Sequence, residues 1–218
     1  MLKKAMLAMA ALAVSAAFLG AGSASAAILY KDATKIPKVL VPVGATFTAA
    51  QPFWNGEEKT LTPDKVWEFS NGASALNICT NSSITFKVTQ NSGGTVKAVP
   101  TAANFPKYPN CGAPQKWLSA PEGQELSVTG SSIVNGTETA WLGTKFNFAW
   151  ETVGLGWFGA FTGATGSPPT KGVFVQQPTA AKSPISLNLV KAPLSLGSMY
   201  NVTAKFILTG EAATWSFG

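Results

Sequence analysis

Histidine and arginine are absent from all 218 residues, cysteine occurs twice, and Asp, Glu and Lys together make up only 12% of the chain. Each scarcity removes a class of function. Without imidazole there is no Ser–His–Asp or Cys–His machinery. Without guanidinium there is no bidentate phosphate clamp, and no glycine-rich phosphate loop opens a helix. The cations are lysines spread from Lys31 to Lys205 with no run among them, whereas nucleic-acid binders cluster basic residues. Nucleic acid is not an expected partner. A calcium loop would need clustered acidic and Asn side chains, and no Asp-x-Asp pattern occurs. No cofactor and no metal are expected.

Glycoside hydrolysis survives these exclusions, because it needs only two carboxylates about 5–10 Å apart. The candidates are Asp32, Asp64 and eight Glu, among them Glu57, Glu58, Glu122, Glu125, Glu138 and Glu151. Glu151 ends an aromatic segment but is out of phase with Phe146, Phe148 and Trp150, which turns it towards solvent. These groups read as surface charge, and the chain is not expected to be an enzyme.

What is present begins with an export signal. Lys3 and Lys4 precede an apolar run from Ala5 to Leu19, and Ala24, Ser25 and Ala26 close it with small residues. A positive start, a short apolar run and small residues at −3 and −1 are what signal peptidase reads. The run is too short and alanine-rich for a bilayer span of about 20 apolar residues; a retained N-terminal anchor is the competing reading. Residues 1–26 are taken as a signal peptide and 27–218 as one domain, with 27–53 as an N-terminal strand arm. The expected location is secreted or at a bacterial cell surface, reached through the periplasm. Taking Lys3 and Lys4 from the formal +6 leaves +4. So few charges fit a surface that packs against copies of itself or lies at a membrane, and equally a hydroxyl-rich extracellular β-protein.

In an exported chain, Cys79 and Cys111 most simply form one disulfide. A catalytic thiol would lack an imidazole to activate it, and zinc would have to rely on two Cys plus carboxylates.

The dominant rhythm is period two. Ser83–Thr89 sets Ile84, Phe86 and Val88 against Thr85, Lys87 and Thr89; Lys145–Glu151 sets Phe146, Phe148 and Trp150 against Asn147, Ala149 and Glu151. Ile185, Leu187 and Leu189 share a face, as do Tyr200, Val202, Ala204, Phe206 and Leu208. These patterns predict half-buried strands. Turn makers separate them, including Asn55–Gly56, Asn71–Gly72, Gly93–Gly94 and Asn135–Gly136. No stretch of ten or more residues after the leader keeps a helical period free of Pro and Gly. The spacing reads as an all-β antiparallel sandwich or barrel, with an immunoglobulin-like β-sandwich as the working expectation. Five prolines between Pro100 and Pro121 surround Cys111, predicting a long connection tied down by the disulfide.

Seven tryptophans are many for a chain of this length. At least four are expected in the core, since an indole buries a large area. Trp54 and Trp157 neighbour glycine and turn residues, and with Phe158 are the candidates for exposure, where an aromatic face can stack on a sugar ring. The stretch Val153–Gly166 combines Leu155, Trp157, Phe158 and Phe161 with spaced glycines. It reads either as a segment lying at a membrane interface or as a buried, glycine-kinked strand, and the second is favoured.

At the two ends, Val39, Val41 and Val43 alternate beside Pro37 and Pro42, as suits an edge strand, while Gly197 and Tyr200 lead into the alternating segment that runs to Thr209. With the leader, the chain length and the single cysteine pair, this C-terminal pattern resembles the chaperone–usher pilins of Gram-negative bacteria. The Gly-to-Tyr spacing is one residue longer than the usual Gly-x-Tyr, and the chain ends Trp215, Ser216, Phe217, Gly218 with no penultimate Tyr. The resemblance implies a fimbrial subunit that assembles by β-strand addition. Val39, Val41 and Val43 would be the donor, and Tyr200, Val202, Phe206 and Leu208 would border the acceptor edge. It also implies a periplasmic chaperone and other fibre subunits, or copies of itself, as partners. Two other classes stand beside it. One is a secreted or surface adhesin that recognises a host glycan through exposed aromatics. The other is a membrane-associated β-protein, either a small outer-membrane barrel or one using Val153–Gly166.

Overall fold

Alternating apolar and polar residues make strands that need a second apolar layer, and here one sheet supplies it by curling onto itself. The computed structural model describes residues 26–32, 36–57, 62–72, 74–106, 111–135, 139–152, 154–163, 165, 169–178, 184–194 and 197–218. The expected leader, apart from Ala26, lies outside them. The strands are β1 (Leu29–Tyr30), β2 (Thr46–Ala50), β3 (Val66–Asn71), β4 (Ser74–Thr80), β5 (Ser83–Ser92), β6 (Thr95–Asn104) and β7 (Gln115–Trp117), followed by β8 (Glu125–Asn135), β9 (Thr139–Thr152), β10 (Leu155–Thr162), β11 (Gly172–Pro178), β12 (Ser186–Leu194), β13 (Gly197–Leu208) and β14 (Ser216–Phe217). Two short 3-10 turns, Pro63–Lys65 and Gly210–Thr214, are the helical elements among the described residues.

The main sheet runs β12-β11-β9-β8-β6-β5-β2-β13, and β13 pairs back to β12. That closes an eight-stranded antiparallel barrel, so the all-β class holds while the sheet closes on itself rather than standing as two open sheets. Two long strands extend the barrel. On one edge of β9, β11 occupies residues 139–143 and β10 residues 145–152. On the other edge, β8 is followed by β7 at 150–152. Likewise β2 pairs with β13 at Ile207 and Leu208, and β3 pairs with it from Tyr200 to Ala204, carrying β4 outside it. The Gly93–Gly94 turn between β5 and β6 has φ of +62° and +75°, the mirror-image turn that matches strand twist and that glycine adopts without strain.

The period-two residues fill the interior. Ile84, Phe86, Val88, Phe146, Phe148, Trp150, Leu189, Val202 and Phe206 are fully buried, while Thr85, Lys87, Lys145, Asn147, Thr203 and Lys205 take the other face. An eight-stranded barrel is just wide enough for side chains to fill. The void left between Phe47, Phe86, Leu126, Val175, Leu187 and Phe217 is about 30 Å³, far below the roughly 150 Å³ that admits a benzene-sized guest. Beyond the barrel, β3 packs face to face on β9. Trp67 meets Trp150 edge-on at 5.3 Å and lies within 6.0 Å of the rings of Phe105, Phe148 and Phe206.

The backbone of Leu155–Thr162 is a strand on β9, and its Gly159 is buried for a local reason. A Cβ there would stand 2.5 Å from Phe161 Cζ and 3.0 Å from Trp150 Cζ3. The glycine makes room for two rings. Gly159→Ala is expected to destabilise the fold by about 1–3 kcal/mol through overpacking, measured by urea unfolding.

Cys79 of β4 and Cys111 form the disulfide. Around it Asn77 Nδ2 donates to Ala113 O (3.0 Å), Ala113 N–H donates to Asn77 Oδ1 (2.8 Å), and Gly112 N–H donates to Ile78 O (3.1 Å). Residues 111–113 are thus laid along β4, covering part of an edge that would otherwise offer unpaired backbone groups.

Candidate functional site

Residues 51–57 leave the end of β2 outside any helix or strand. Gln51 N–H donates to Ser82 O (2.9 Å) and Ser82 N–H to Gln51 Oε1 (2.8 Å), which continues the β2–β5 pairing through side chains. Three residues on, one side chain grips the backbone from both sides: Trp54 N–H donates to Asn81 Oδ1 (2.8 Å) and Asn81 Nδ2 donates to Trp54 O (3.0 Å). Asn81 can do this from the β4–β5 turn because it adopts φ +56°, a left-handed conformation that asparagine tolerates better than most residues. Asn55 then folds back, its Nδ2 donating to Glu57 Oε2 (2.9 Å) and its Oδ1 accepting from Glu57 N–H (3.0 Å).

Phe53 is 76% exposed and Trp54 is half-buried. Beneath them Gln51 Nε2, Trp54 Nε1 and Ser82 Oγ are buried without a hydrogen-bond partner among the described residues. A fixed backbone and an exposed ring give this loop the makings of a binding surface. The sequence pointed to Trp54. It did not single out Phe53 or Asn81, although two neighbouring aromatics after a proline already imply that one faces outwards.

The remaining tryptophans divide plainly. Trp67, Trp150 and Trp215 are buried. Trp117 is half-buried against the core, with its Nε1 donating to Gln124 Oε1 (2.8 Å). Trp141 is half-exposed and meets Phe174 edge-on at 5.0 Å. Trp157 and Phe158 are placed by backbone pairing opposite Trp150 and Ala149; their side chains lie outside the described set.

The residues named for strand exchange sit as follows. Tyr200, Val202, Phe206 and Leu208 belong to β13, an interior strand with β12 on one side and β3 and β2 on the other. Val41 is buried and its N–H donates to Leu29 O (2.9 Å), while Lys31 N–H donates to Val39 O (2.8 Å). The N-terminal arm therefore pairs with itself as a hairpin. Its valines do not share an environment: Val39 and Val43 are exposed and Val41 is not.

Among the described residues no three Cys, Asp or Glu gather at one point. Glu125 pairs with Lys97 at 3.3 Å, Asp64 accepts from Thr62 Oγ1, and Glu151 is half-buried opposite Lys116 and Gly156. Glu58 and Glu138 lie outside the described residues. Comparison with protein-family models, characterised proteins and solved structures finds no match.

Proposed function

We propose that the chain is an exported binding module that takes a glycan on the loop 51–57, with Phe53 and Trp54 supplying the ring contact. The observation that carries this reading is the two-sided grip of Asn81 on Trp54 beside the 76% exposed Phe53. A ring held ready on fixed backbone binds without first losing the conformational freedom of a loose loop. The apolar face of a pyranose packs on such a ring. In this reading the immunoglobulin-like character belongs to the half where β3 faces β9.

A fibre subunit built by strand addition would have to exchange pairs this chain already makes, those of β13 with β2 and β3 and those of the hairpin with itself. That reading ranks second. A lipid-embedded barrel carries apolar residues outside and polar ones within; the lysine- and threonine-bearing outer faces of β5 and β13 have the reverse order.

The test is a glycan array with Phe53→Ala and Trp54→Ala. Binding by the parent should fall at least tenfold in Phe53→Ala, as expected when a central aromatic anchor is removed, with the melting temperature unchanged. A blank array, or Phe53→Ala binding like the parent, ends the proposal.

A further inference from the structure

Among the described residues, a cluster of exposed apolar side chains lies at the far end of β2 from the aromatic loop. Ile36 is 97% exposed, Val43 65%, and Val39 and Leu40 52% each. All four belong to the N-terminal hairpin, where Tyr30 bridges Leu40 and the cis bond between Ile36 and Pro37 falls in the connection. The root of the hairpin is firmly held. Leu29 N–H donates to Asn91 Oδ1 (2.8 Å), and Asn91 Nδ2 donates to both Leu29 O (2.7 Å) and Val41 O (2.9 Å). Leu29 and Val41 are buried there, whereas residues from Ile36 to Leu40 stand in solvent.

Val39 and Leu40 are neighbours on extended backbone and so face opposite ways, yet each is half out. An apolar hairpin bare on both faces is not covered by a flat partner, which reaches only one of them. A fluid apolar layer reaches both. Lys31 and Lys38 are exposed beside these residues, Lys38 with its Nζ 5.1 Å over the Tyr30 ring, and the molecule as a whole carries more Lys than Asp and Glu. That charge matches an anionic surface.

We propose that the hairpin tip, through Ile36, Val39 and Leu40 with Lys31 and Lys38, docks the protein on an anionic lipid surface. Proteins held at the headgroup boundary combine shallow burial of apolar side chains with lysines in reach of phosphates. Docking this end leaves the loop 51–57 pointing away, about 17 Å along β2 at the usual rise per residue. The proposal is independent of what that loop binds.

The experiment is sedimentation of the leader-processed protein with vesicles of phosphatidylcholine alone and with phosphatidylglycerol added, repeated for Ile36→Asp/Leu40→Asp. Both substituted side chains are exposed, so the variant keeps the parent's circular dichroism and melting temperature, which are checked first; Lys31→Glu is a second, independent variant. The expected result is retention on the anionic vesicles, weaker retention on the neutral ones, and at least a tenfold loss in the double variant. Equal retention on neutral vesicles, equal retention of the double variant, or no retention at all overturns the proposal. So does a concentration-dependent dimer that the double variant abolishes without any binding to vesicles.

Discussion

Trp67→Ala is expected to cost about 3–5 kcal/mol, the range for emptying a large aromatic site. The indole is fully buried and touches four other rings from three segments. Phe148 and Trp150 come from β9, Phe206 from β13 and Phe105 from the end of β6, so no single strand can move in to fill the space. For a chain of this size the loss corresponds to a melting temperature roughly 10–15 °C lower. Phe53→Ala removes similar chemistry from a site that is 76% exposed and should stay within about 0.5 kcal/mol. Thermal and urea unfolding of the pair checks the assignment of core and surface; similar losses in both would mean that Trp67 is not the keystone described here.

The second large effect is loss of the disulfide. Cys79 and Cys111 lie 32 residues apart, and cross-linking a loop of that length restricts the unfolded chain by about 3–4 kcal/mol in the chain-entropy account. Cys79→Ala/Cys111→Ala should lower stability by that amount in urea unfolding. A further consequence is local: the connection 111–113 would be held against β4 by its hydrogen bonds alone. The uncovered edge should then show as earlier aggregation on heating, followed by light scattering. A double variant within 1 kcal/mol of the parent would show that those hydrogen bonds suffice.

Strands exposed on one face were legible because their alternation is a direct image of a half-buried sheet. Ile84, Phe86 and Val88, or Phe146, Phe148 and Trp150, went inward as their phase required. β11 was not legible, because Gly172 to Val175 are all buried and alternation vanishes when both faces are covered. β12 hides polar residues in the same way: Ser186 and Asn188 are buried, with Asn188 Nδ2 donating to Ser186 Oγ (2.9 Å). Barrel closure was out of reach too. It depends on β2 meeting β13, some 160 residues away, and no local pattern encodes that pairing. The aromatic loop was half legible. Composition flagged Trp54, but Asn81, which fixes it, is distant in sequence and looks like any turn residue until the two are seen together.

The two ends of the fold also close on each other. Leu29 pairs with Phe217, Gly218 N–H donates to Ile28 O (3.0 Å), and Gln177 Nε2 donates to Phe217 O (3.0 Å). In synthesis from the N-terminus Leu29 is available long before its partner Phe217. Until β14 pairs with β1, the small void that Phe47 and Leu126 line lacks the Phe217 side of its wall. Contacts between distant segments form slowly, and apolar surface left bare meanwhile invites aggregation. The vulnerable interval in the folding of this barrel is the one before β14 reaches β1.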